Sequence, residues 1–111
     1  MNETIKEKLL HFFHTIDRYK GCKTEITSGI YTAYETFNAK NATWNLSEFT
    51  MVRAAFRQDG NRLMIEGDKM YYEFSAAAII DFKTPNTDCF EIVEAYAEVA
   101  FRITKIKFTL K

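Results

Sequence analysis

The sequence predicts an α+β domain in which N-terminal helices pack on a curved antiparallel β-sheet. Three observations predict it. Met70, Tyr72, Phe74, Ala76, Ala78, Ile80 and Phe82 alternate with Tyr71, Glu73, Ser75, Ala77, Ile79 and Asp81. That period of two belongs to a strand, because a helix cannot segregate the two sets. In residues 3–20, Ile5, Leu9, Phe12, Phe13, Ile16 and Tyr19 recur at helical spacing and form one apolar stripe. After Gly60, turn residues at Gly67-Asp68 and across Lys83–Asp88 divide the chain into further extended runs. At 111 residues the chain is read as a single domain, 1–111, able to build a core without disulfide or metal.

The first helix spans 3–20, with its polar side carried by the i,i+4 pairs Glu7/His11 and His14/Arg18 and its stop at Gly21. Both histidines therefore belong to a solvated face, and a metal site at His11 and His14 would need ligands from elsewhere. Residues 24–37 admit two readings. Ile26, Ile30, Ala33, Tyr34 and Phe37 make a helical stripe, whereas Thr24, Thr27, Gly29, Thr32 and Thr36 lower helix propensity. The helix is preferred because strand alternation is poorer. Ala42–Leu46 reads as a short strand around Trp44. Ser47 then suits an N-cap, with Leu46 and Met51 as a staple and Phe49, Val52 and Phe56 on one stripe ending at Gly60. The rival there is a strand entering an Asp59-Gly60 hairpin.

Arg62–Glu66 is the next strand, turning at Gly67-Asp68 into the long strand 70–82. The closing segment could be a helix capped by Asp88 with Glu91 in its first turn. It is read instead as a strand with Val93, Ala95, Ala97, Val99, Phe101 and Ile103 on one side. A bulge near Thr104-Lys105 then brings Ile106, Phe108 and Leu110 to the same face.

Composition excludes several function classes. Hydrophobic residues make up 47% and aromatics 15%, with one proline and four glycines, so the chain is not disordered. Fifteen basic and fifteen acidic residues cancel, which argues against a nucleic-acid binder. Charge is nonetheless uneven: Glu66 to Glu98 is acidic, and the tail carries Arg102, Lys105, Lys107 and Lys111. Adjacent strands holding opposite charges account for this split. No segment is apolar enough for a signal or a membrane span, and Cys22 and Cys89 lack metal-type spacing. The expectation is a cytoplasmic protein with free thiols and no metal or cofactor. The Asn2, Asn41 and Asn45 glycosylation triplets are then chance.

Three stretches carry a family resemblance. Leu9–Asp17 resembles the opening aromatic helix of the NTF2-like superfamily, Phe37–Trp44 its entry to the first strand, and Phe101–Phe108 its closing strand. The resemblance implies a cone-like fold of helices on a curved sheet, and a small-molecule isomerase or cyclase as one possible activity. The family's catalytic tyrosine and aspartate fall at Phe12 and Leu46, which cannot move protons. The remaining candidates are Tyr31, Tyr34, Asp59, Asp81 and Glu91. Glu91 alone is a carboxylate on an otherwise apolar strand parity, where burial would raise its pKa. A solvated strand end is the simpler account of it.

The sequence thus favours a non-enzymatic binding module, a homodimer formed through the outer sheet face or a receiver of another protein. Tyr71 and Tyr96 suit such a face. A small apolar ligand is the further option, in a pocket walled by Phe12, Trp44, Phe74, Ala76, Ala78, Ala95 and Ala97.

Overall fold

Helix α1, Glu3–Thr15, forms where the apolar stripe requires it: Leu9 and Phe12 are buried, Ile5 and Phe13 half-buried, and His11 and His14 exposed. The Thr15 hydroxyl donates to the carbonyls of His11 (3.1 Å) and Phe12 (3.2 Å), and the chain then tightens into a 3-10 turn, Ile16–Tyr19. Gly21, at φ 84°, ends it, a left-handed conformation that suits glycine. The computed structural model describes residues 3–32, 42–57 and 61–110.

Strand β1, Lys23–Thr32, replaces the helix expected at 24–37; residues 33–37 lie outside the described residues. Its inward positions are Thr24, Ile26 and Ser28. Two of these are polar, which hid the alternation, yet Thr24 is satisfied by donating to the Cys22 carbonyl at 3.2 Å. Strand β2, Ala42–Thr50, contains the expected short strand and continues through Ser47. Ser47 caps no helix; it pairs with Ile26 in the ladder and its hydroxyl accepts from Tyr72 at 2.8 Å. Strand β3, Arg53–Arg57, follows, so the strand alternative holds for this segment, while Asp59-Gly60 lies outside the described residues.

Between β2 and β3 the chain changes partner within one residue. Met51 exchanges backbone bonds with Gly21 and Cys22, whereas the Val52 N–H donates to the Glu66 carbonyl at 2.8 Å. Such corners join two packed sheets. Strands β4, Arg62–Gly67, and β5, Met70–Ser75, form the tight hairpin one residue later than expected, with Lys69 left-handed at φ 60°. Gly67 is a strand residue covered by Phe49; an added Cβ would lie 2.5 Å from the Phe49 ring.

The long alternating run is not one strand. It breaks at a 3-10 turn, Ala76–Ala78, and resumes as β6, Ile79–Asn86. Three small residues permit this second corner: the Ala76 N–H still bonds to Asn61 beside β4, and β6 pairs with β7, Cys89–Ala97. The turn expected over Lys83–Asp88 contracts to Thr87-Asp88, with Asp88 at φ 62°. Strand β8, Ala100–Thr109, then pairs antiparallel with β7 and with β1. The closing segment is therefore strand, as read, but a hairpin through Glu98-Val99 rather than one strand bulged at Thr104-Lys105.

The result is α+β: one short N-terminal helix and antiparallel strands, ordered β2-β1-β8-β7-β6 in one sheet and β3-β4-β5 in the other. Helix α1 touches both β6 and β3. Its Phe12 ring enters an aromatic core, 4.5 Å from Phe90 and 5.3 Å from Phe82, and Tyr19 stacks on Phe108 at 4.0 Å. Among the described residues, no helix is long and apolar enough to cross a membrane.

Candidate functional site: the outer face of the large sheet

Strand register fixes which residues share a face, because directly opposed residues point the same way. On the outer side, one row crosses the sheet as Trp44, Gly29, Ile103 and Val93, and the next as Ala42, Tyr31, Phe101 and Ala95. Toward the other end lie Leu46, Thr27, Lys105 and Glu91, then Glu48, Glu25, Lys107 and Cys89. From β2 to β7, apolar and aromatic groups thus fill one half of the face and charges the other, while on β6 Asp81 closes the Val93 row and pairs with Lys83 at 3.4 Å. Leu46 is 68% exposed and Trp44 43%. Gly29 lets the indole lie flat, since a Cβ there would sit 2.5 Å from Trp44 Cε3. Lys105 Nζ lies 5.7 Å from that ring and Tyr31 stacks on Phe101 at 5.3 Å.

Behind these apolar rows the inner face sets a polar cluster among the core residues Ile79, Phe82 and Ile92. Glu94 is fully buried. It accepts from Arg102 Nε at 2.7 Å, from the Ser75 N–H at 3.1 Å and from the Tyr96 hydroxyl. Arg102 also donates to the Glu73 carbonyl at 2.7 Å and lies over the Phe74 ring. Arg62 in turn pairs with Glu73 at 3.1 Å. The cluster joins β5 to β7 and β8, so it clasps the two sheets. Burial pushes the Tyr96 hydroxyl above its ordinary pKa, and the hydrogen bond and charge of Glu94 add to the effect. Thr104 Oγ1, also inward, is buried without a hydrogen-bond partner. Polar groups are therefore buried inside this end of the sheet while apolar groups lie on its outside. That arrangement looked like a switch of face near Thr104 when only the sequence was read.

The expected site residues separate. Phe12, Phe74 and Ala76 are in the core, and Ala78 is half-buried beside them. Trp44 and Ala95 lie on the outer face, and Ala97 is exposed at the end of β7. They do not form one pocket wall. Glu91 is half-buried on the outer face, opposite Lys83 and Lys105. The deeply buried carboxylate is Glu94, three residues on. Its signal was in the sequence: Glu94 and Arg102 share a parity across the β7–β8 turn, as a cross-strand ion pair requires. Leu46, at the resemblance's aspartate position, is on the surface. Among the described residues, no group of three or more His, Cys, Asp or Glu could hold a metal ion.

A second polar cluster closes the other end of the core. The Tyr19 hydroxyl donates to Asp88 Oδ1 at 2.6 Å, and Arg18 pairs with the same oxygen at 3.2 Å. Burial, reinforced by the Asp88 hydrogen bond, pushes the Tyr19 pKa up to about 12. The folded state thus holds this proton more tightly than the unfolded chain, whose tyrosines titrate near about 10. The stabilisation is complete below about pH 10 and is lost as pH rises toward about 12. Urea titrations across that window are expected to show stability falling for the wild type and falling less for Tyr19→Phe. Equal pH dependence in the two proteins would remove Tyr19 from the account.

In comparisons with known proteins, no family model, no curated protein and no solved structure matches this chain.

Proposed function

We propose that this protein is a non-enzymatic interaction module that pairs with a second copy of itself through the outer face of the five-stranded sheet. The apolar outer rows carry the reading: Trp44, Tyr31, Val93, Phe101 and Ile103 point outward on strands whose inward positions include Glu94, Arg102 and Thr104. Five strands about 4.8 Å apart and about nine residues long cover roughly 700 Å², near the about 800 Å² that each partner of a stable interface contributes.

Charge favours a second copy as the occupant. Glu25 and Glu48 stand on the β1–β2 side, with Lys23 pairing to Glu48 at 3.3 Å, and Lys105 and Lys107 stand on β8. A two-fold axis parallel to the strands and lying between β1 and β8 lays Glu25 of each copy over Lys107 of the other, a self-complementary arrangement of the kind an isologous interface uses. These charges set orientation more than affinity, and zero net charge leaves no overall repulsion between copies.

Trp44 is the only tryptophan, so its emission reports on this face directly. Dilution from high micromolar to nanomolar concentration is expected to shift the emission to longer wavelength as the indole becomes wet. A spectrum independent of concentration would count against the pairing. Reversing Lys105 or Lys107 is expected to move the transition only modestly, because exposed pairs contribute about 0–1 kcal/mol.

A cytoplasmic location belongs to the same reading, supported by Cys22 and Cys89 standing as free thiols. NTF2-like kinship and its cone are also part of the proposal. They are supported by the aromatic helix at 9–15 and the closing strand at 101–108, whereas β1 and β3 are strands where the residue pattern led to helices being expected.

A further inference from the structure

Away from the large sheet, α1 and the three-stranded sheet enclose a groove of about 680 Å³. One wall is helical: Leu9, Leu10 and Phe13 present adjacent lines of α1. The other comes from Phe56, Leu63 and Ala77, near the corner between β5 and β6. Phe13 and Phe56 meet edge to face, with ring centroids 6.0 Å apart. Leu10 is 46% exposed and Phe56 40%, so the groove shows apolar surface to solvent although Leu9 and Leu63 are core residues. Its volume lies in the range of about 300–1,000 Å³ typical of small-molecule sites.

The polar groups at the lip are of one kind. Lys6 and His14 flank Leu10 at four-residue steps along α1, and Asn61, at the turn before β4, also lines the groove. No carboxylate is among the described lining residues. An apolar cleft rimmed by a cation, an imidazole and an amide selects a ligand with an apolar body and one anionic head. The apolar walls bury the body, and the lysine meets the head at the solvent edge, where its own hydration is largely kept.

We propose that this groove is a binding site for a small amphipathic carboxylate. It stands apart from the outer sheet face and does not depend on self-association. Decanoate, with uncharged 1-decanol as its control, tests the assignment by titration calorimetry on the full chain. Decanoate is expected to bind the wild type, and Lys6→Glu to weaken it several-fold while leaving 1-decanol unchanged. Ala77→Trp fills the groove from an exposed position and is expected to weaken both ligands at least ten-fold. Leu10→Glu, also at an exposed position, places an anion in the wall and is expected to exclude decanoate, which keeps the test decisive if the larger residue disturbs folding. No binding of decanoate, binding indifferent to Ala77→Trp and Leu10→Glu, or a Lys6→Glu effect equal for both ligands would each overturn the proposal.

Discussion

Arg102→Ala is expected to destabilise the fold by about 3–5 kcal/mol, the cost of leaving a buried charge without its partner. Glu94 is completely enclosed, and the Arg102 guanidinium, at 2.7 Å, is the charged partner among its donors. The loss should fall toward the lower end of that range, because the Arg102 side chain is 23% exposed and its removal lets some water in. Arg102 also holds the Glu73 carbonyl, so the substitution loosens β5 from β7 and β8 together. Arg102→Lys is expected to recover only part of the loss, since one ammonium cannot reproduce a planar fork that reaches two acceptors. Urea unfolding measures both. A midpoint like the wild type for Arg102→Ala would mean that the clasp does not hold the sheets.

Phe12→Ala is expected to cost a similar amount, about 3–5 kcal/mol, by a different route. The ring is buried against Phe82 and Phe90, and no neighbouring side chain can fill its space without leaving another void. Phe13→Ala, at a half-buried position whose partner Phe56 is on the surface, should cost clearly less. Equal losses for the two would show that α1 sits on the sheets in a different rotation.

What the sequence made legible was local. The α1 stripe and the β4–β5 hairpin follow from spacing and turn chemistry, and both form nearly as expected. The missed strands share a cause. In β1 the inward positions include Thr24 and Ser28, so hydrophobicity did not alternate although burial does. Around Met51 a one-residue corner re-aims the chain between two sheets, and Phe49, Val52 and Phe56 mimic a helical stripe across it. The three alanines at 76–78 were read as a narrow place in one strand, but their small size serves a crossing between sheets. The site was less legible for a physical reason. Val93, Ala95, Phe101 and Ile103 were correctly grouped on one side, and apolar grouping was taken to mean inside. The buried Glu94–Arg102 pair, with Ile92, Thr104 and Ile106 on the same parity, shows that this side faces out.

Pairing through that side is the central claim, and Leu46 gives the cleanest access to it. The residue is 68% exposed in the protomer, so Leu46→Asp should leave the fold unaffected and place an unpaired charge in the interface. Sedimentation equilibrium at high micromolar concentration is the measurement. Twice the 13.0 kDa chain mass is expected for the wild type and the single-chain mass for Leu46→Asp, with the same thermal midpoint at dilution. A wild type that sediments as one chain at that concentration would contradict the pairing.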